Sequence, residues 1–352
     1  MLEALIDRFG DPAVLMMAGA ITGVIFGMAA QHSQFCLRAA TAEVAEGRFG
    51  SRLSIWLIAF SAAVMLVQGA VAFGLLDVSN ARQLAATGSM SGAIIGGLMF
   101  GAGMILARGC ASRLLVLSAT GNMRAILTGL VLTLVAQASL RGVLSPARES
   151  LTVLWLVEGG EARNMLIQLG LSAGLAAIAA ALALLSGLVL ARRTQVQFSR
   201  IFAAAGVGAA VALGWALTYA ISQTSFDVVP VSSVTFTGPS TDTLMGLVNA
   251  PDLPLGFGVG LVPGVFAGAG LMALLSREIR IERFGPDTPM ERYLLGAVLM
   301  GFGSMLAGGC AVGAGMSGGS IFAITAWVAV FCMWLGAMAT HTLLRRRVAL
   351  AA

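Results

Sequence analysis

Residues 96–121 read GGLMFGAGMILARGCASRLLVLSATG, and the reading of this stretch decides the fold. A glycine-rich apolar helix climbs to Leu106. It stops at Arg108-Gly109-Cys110, and a second short apolar piece follows. Residues 301–320, GFGSMLAGGCAVGAGMSGGS, repeat the arrangement with Cys310 at the break. Superposing Cys110 on Cys310 also matches Gly101 with Gly301, Gly103 with Gly303 and Leu106 with Leu306. A helix interrupted at a thiol is built twice.

Composition sets the class. Hydrophobic residues make up 58% of the 352 positions and charged residues 11%. Mean hydropathy is +0.92. Several apolar runs exceed the roughly 18 residues that mark a bilayer-spanning helix. The chain therefore reads as an all-α integral membrane protein, a single transmembrane domain with the lipid bilayer as its solvent. All 21 basic residues are arginine, and the net charge is +5. No basic run with interleaved aromatics suggests nucleic acid. Residues 1–14 lack the early basic cluster of a cleaved signal peptide. Four cysteines without a CxxC pair argue against a zinc cluster or a disulfide framework.

About nine spans are predicted, at 13–30, 53–76, 90–107, 122–140, 165–190, 201–221, 255–276, 292–307 and 320–344. Segment 144–163 reads as a surface stretch or short interfacial helix. Arginines gather in alternate loops: Arg38, Arg48 and Arg52; Arg192, Arg193 and Arg200; Arg277, Arg280, Arg283 and Arg292; and Arg345, Arg346 and Arg347. Segment 222–254 holds Asp227, Asp242 and Asp252 but no arginine. The positive-inside rule then puts the C-terminus in the cytoplasm and the N-terminus outside. Spans one to four and six to nine form an inverted repeat in this reading, residues 13–140 and 200–345, with 141–195 as connector. The Cys110 and Cys310 breaks then open from opposite sides. The first break is less symmetric: aligning Phe35 with Phe226 sets Cys36 against Asp227.

Cys36, Cys110 and Cys310 follow span ends, whereas Cys332 sits inside an apolar run as a small hydrophobe. A helix break exposes unpaired N–H groups and a positive dipole end, which attract anions. A thiol adds a weak S–H donor and a polarizable surface. The combination suits an anion with soft sulfur. Arg108 and Arg113 flank Cys110 and either neutralise an anion or snorkel to the interface. His32, four residues before Cys36, is an interfacial donor or a ligand, and Gln34, with Gln31 and Ser33, lines an entrance or caps a helix. Two other classes stay open: a thiol redox or persulfide-relay enzyme, and a metal or other-anion channel. The first needs two thiols with Cα atoms about 4.4–6.8 Å apart. The second needs the three thiols to converge on one ion. No P-loop is present, and no cofactor is called for.

The stretches GVIFGMAAQHSQFC, GLMFGAGMILARGCAS and GAVLMGFGSMLAGGCAVGAGMSGG resemble the three cysteine motifs of the YeeE/YedE sulfur-transport family, which includes thiosulfate permeases. The resemblance covers nearly the whole chain in the right motif order. It implies an hourglass-shaped protein of the bacterial inner membrane with short re-entrant helices. It also implies that thiosulfate, or a related sulfur anion, passes by hydrogen bonding to Cys36, Cys110 and Cys310. Some members work with a small soluble sulfur-carrier protein. This chain departs in the second motif, where Arg108-Gly109-Cys110 replaces the usual Gly-Gly-Cys.

Overall fold

A computed structural model describes residues 2–249, 254–284 and 289–351, with side chains as far as 346. Asp252 and the Arg347 side chain, both used in the orientation argument, lie outside the described residues. The first half contains α1 (Leu2–Phe9), α2 (Asp11–Ser33), α3 (Leu37–Ala45), α4 (Ser51–Ala72), α5 (Arg82–Ala85), α6 (Met90–Leu106), α7 (Ala111–Ala119) and α8 (Met123–Arg141). The second contains α9 (Ser145–Thr152), α10 (Met165–Gln168), α11 (Ala173–Arg193), α12 (Phe198–Thr224), α13 (Thr237–Asn249), α14 (Phe257–Leu275), α15 (Met290–Leu306) and α16 (Ile324–Ala351). Strands β1 (Gly88–Ser89) and β2 (Leu156–Val157) form one antiparallel clip, Gly88 opposite Val157.

Among the described residues, eight helical stretches are long and apolar enough to cross a bilayer. Nine spans were expected. The eighth of these, 292–307, is α15, a helix of 17 residues that equals α6 in length and ends where Gly308 turns the chain at φ 76°. The fifth expected span also divides. Gly170 at φ 64° separates α10 from α11, so only Ala173–Arg193 has spanning length. Segment 144–163 carries α9, β2 and a 3-10 turn at Gly160–Arg163.

Apolar side chains gain little by leaving lipid for protein, so membrane helices associate through close backbone contact at small residues. Helix α2 offers Gly19, Gly23 and Gly27 at four-residue spacing. A Cβ there would lie 2.0–2.4 Å from the carbonyl oxygens of Phe257, Leu261 and Val265. Helix α14 reciprocates: a Cβ on Gly260, Gly264 or Gly268 would meet the carbonyls of Met16, Ala20 and Val24 at 1.9–2.5 Å. The two backbones are in contact along about three turns.

The helices that lead to the two repeated motifs cross in the same way. Gly96 of α6 meets the carbonyl of Gly303 in α15, and Gly103 meets that of Gly296. The pairing is antiparallel. Leu306 packs beside Gly92 at the start of α6, so Leu106 and Leu306 end at opposite ends of the pair. Helix α16 packs on the other side of α6, through Gly97 against Ala329 and Gly101 against Met333.

Polar contacts show which helix ends share a side. Gln31 at the end of α2 donates to Glu278 beyond α14, and Arg124 at the start of α8 pairs with Glu282. His341 near the end of α16 meets Glu46 beyond α3 at 3.2 Å. The arginine-rich loops expected to share a face therefore do so at these positions. The acidic segment is not left uncompensated: Asp242 on α13 lies in the field of Arg141 and Arg82, from other parts of the chain. Asp227 stays exposed on the surface.

Candidate functional site

Each of three helices ends in the same way. Gln34, Arg108 and Gly308 adopt left-handed backbone, with φ 55°, 55° and 76°. In each case the next residue bonds back five positions. Phe35 N–H donates to Ala30 O at 3.2 Å, Gly109 N–H to Met104 O at 3.1 Å, and Gly309 N–H to Ser304 O at 2.9 Å. This is the Schellman closure of a helix C-terminus. In all three, the residue after that bond is a cysteine: Cys36, Cys110, Cys310.

The cysteine then starts the next piece. Cys36 is the N-cap of α3 and Cys110 the N-cap of α7, and neither helix has its first amides capped by a side chain. Cys110 Sγ lies 3.3 Å from Ser112 Oγ. Cys310 precedes a π-helical turn, Gly313–Gly318, and its Sγ accepts the Gly313 N–H at 3.4 Å. A Cβ on Gly313 would lie 2.2 Å from Thr235 Oγ1, so the extended segment before α13 reaches down to the Cys310 break. Cys36 is 9% exposed, and Cys110 and Cys310 are each 1% exposed. All four thiols are free. Cys110 lies within electrostatic reach of both Cys36 and Cys310. Among the described residues, no group of three or more His, Cys, Asp or Glu is arranged to hold a metal ion.

Arg113, three residues after Cys110 on α7, stands inside the fields of Cys36 and Cys110. Its Nη1 donates to Gln31 Oε1 at 3.4 Å, and Gln31 Nε2 donates to Glu278 Oε2 at 2.7 Å. The guanidinium thus sits among the thiols, held by a buried amide and a carboxylate. Arg108 is different. It is the left-handed residue itself, exposed, with its charge near Arg292 rather than among the thiols. Gln34 likewise closes α2 and accepts from Arg52 Nη1 at 2.8 Å. His32 is half-buried in the last turn of α2. Structure therefore brings together Cys36, Cys110, Cys310 and Arg113. It gives Gln34 and Arg108 backbone duties.

Sequence reading missed Ser112, Glu278 and Arg52. Ser112 had a signal, the CAS tripeptide. Glu278 is an acid within an arginine-rich loop, and only its long-range contact with Gln31 marks it.

The pattern described as Sulphur transport matches residues 32–339, from the first break to α16. The chain belongs to the sulphur transport family. Two curated relatives extend over almost the same length. One is the thiosulfate transporter TsuA of Escherichia coli (strain K12), 26% identical over 346 residues, covering 92% of both chains. The other is the thiosulfate transporter TsuA of Spirochaeta thermophila, 24% identical over 349 residues, covering 95% of this chain and 100% of the relative. As a member of the sulphur transport family the chain is a transporter and not an enzyme.

Proposed function

We propose that this protein imports thiosulfate across the bacterial inner membrane, with its C-terminus in the cytoplasm and its N-terminus outside. The observation that carries the mechanism is the threefold recurrence of one device. A left-handed closure ends a helix, and a buried cysteine opens the next piece. Uncapped amides at α3 and α7 supply partial positive charge, while neutral thiols supply S–H donors and a soft surface for the terminal sulfur. Neutral thiols fit this role because a thiolate would repel a dianion, and charge inside the bilayer is costly. The anion passes from Cys310 to Cys110 to Cys36, with Arg113 offsetting its charge at the inner end. A small soluble sulfur-carrier protein is the transporter's cytoplasmic partner. The shared helix packing of α6 with α15, and of α16 with α6 as α15 with α8, supports reading residues 13–140 and 200–345 as an inverted pair.

The test is growth. Cells stripped of their own sulfur-oxyanion transporters, with thiosulfate as sole sulfur source, are expected to grow when given this chain. No growth, with the protein present in the membrane, rejects the reading.

Two variants separate the site from its surroundings. Cys332 packs its Cβ against Gly97 inside the α6–α16 contact. Cys332→Ala is expected to leave the uptake rate within about twofold, because only a small apolar contact is lost. Arg113→Gln is expected to slow uptake about tenfold, the scale of one hydrogen bond to a charged partner. Initial rates with radiolabelled thiosulfate check both.

A further inference from the structure

Arginine is scarce at one end of this molecule. Of the 21, Arg8, Arg82, Arg141, Arg148 and Arg163 belong to the segments opposite the arginine-rich loops. Membrane insertion disfavours positive charge on the translocated side, so arginines retained there call for a reason. Three of the five wall a single cavity. It has a volume of about 200 Å³ and is lined by Arg82, Arg148 and Arg163 together with Gly308 and Ala314. The last two residues flank Cys310.

The cavity is built rather than incidental. Arg163 is 7% exposed. Its Nη1 donates to Ala86 O and its Nη2 to Thr325 Oγ1, both at 2.6 Å. Those bonds fix the plane of the guanidinium. Its Nε is buried and has no hydrogen-bond partner among the described residues. Gly88 leaves the space: a Cβ there would lie 2.6–2.8 Å from the Arg163 guanidinium. Burial, and then the charge of Arg82, hold the Arg163 guanidinium below its usual pKa, so the two cations stand close together. Arg148 is anchored by its Nε to Ser139 O at 2.8 Å and pairs with Glu149 at 3.0 Å. Glu149 is exposed and answers one of the three charges. Asp242 lies in the field of Arg82 from α13. Like charges gathered at a partly dry wall are unfavourable until an anion joins them.

We propose that this cavity is a loading site for the oxyanion end of the substrate, one step before Cys310. The proposal rests on the transport reading given above and adds to it a site on the outer side. Planar guanidinium groups match the oxygens of a small tetrahedral dianion. The soft sulfur then points towards Gly308 and the Cys310 break. The division of labour is spatial: arginines read charge first, thiols read sulfur next.

Arg82 gives the clean test, because it is exposed and its side chain makes no hydrogen bond among the described residues. Arg163 is braced into the fold, so its replacement confuses folding with binding. Uptake of radiolabelled thiosulfate is measured at varied concentration, with the amount of protein in the membrane as a control. Arg82→Gln is expected to raise KM about 5- to 20-fold with the maximal rate held within twofold. Arg82→Glu is expected to raise KM further, and Arg82→Lys to fall between the parent and Arg82→Gln, because it keeps the charge and loses the planar fork. An unchanged KM in both Arg82→Gln and Arg82→Glu overturns the proposal. So does an effect confined to the maximal rate. Absence of uptake by the unaltered protein rejects the transport reading itself, and the loading site with it.

Discussion

Replacing Cys110 or Cys310 with alanine is expected to cut thiosulfate uptake by about 10- to 100-fold while the protein still reaches the membrane. The range follows from losing one hydrogen bond to a charged group, roughly 1.5–3 kcal/mol, at a point the anion must pass. The loss is specific to the donor. Alanine fits the same pocket and leaves the Schellman bonds Gly109 to Met104 and Gly309 to Ser304 in place, because these use only backbone. Serine restores an O–H and is expected to recover part of the rate. It does not recover the soft contact with sulfur. Cys310→Ala also frees the Gly313 N–H from its thiol. Full growth on thiosulfate with Cys36, Cys110 and Cys310 all replaced by alanine would remove the thiols from the mechanism.

The second large effect concerns assembly. Gly264→Leu is expected to abolish accumulation of folded protein. A Cβ at Gly264 would lie 2.5 Å from Ala20 O, a backbone atom that no rotamer change relieves. Its neighbours Gly260 and Gly268 hold the same contact on either side, so α14 cannot tilt away at one point without parting along its length. Overpacking in a deformable core costs about 1–3 kcal/mol. Here the obstacle is two main chains, and the expected loss exceeds that range. Gly23→Leu, the reciprocal change on α2, is expected to behave alike. Gly129→Ala, with open space around it, serves as the tolerated comparison. Membrane abundance and detergent melting temperature distinguish the outcomes. Normal abundance of Gly264→Leu would mean that the α2–α14 contact does not hold the fold together.

The class and the break positions were legible because they depend on local signals. Apolar run length marks α2, α4, α8, α11, α12 and α14, and a glycine-cysteine pair after an apolar run marks two of the breaks. Residues 292–307, read as a crossing by composition, form α15, which at 17 residues equals α6 in length and runs antiparallel to it. The first break differs from the end of α12, where Ser225 is extended, and resembles the Cys110 and Cys310 breaks in backbone conformation, which side-chain comparison does not show. Gln34, Arg108 and Gly308 share a conformation and little chemistry. The arginine wall was hidden for another reason. Arg82, Arg148 and Arg163 come from three separate segments, and β1 pairing with β2 helps to draw those segments together.

The burial of the three thiols turns them into clocks. A membrane-impermeant alkylating reagent applied from one face can reach a sulfhydryl only when the route from that face is open. With Cys36 at 9% exposure and Cys110 and Cys310 at 1%, modification is slow in the resting conformation. Its rate reports how often the protein visits an open one. On the proposed route, Cys310 would keep time for the outer mouth and Cys36 for the inner. The ratio of their labelling rates, with and without thiosulfate, would measure alternating exposure without a single transport assay.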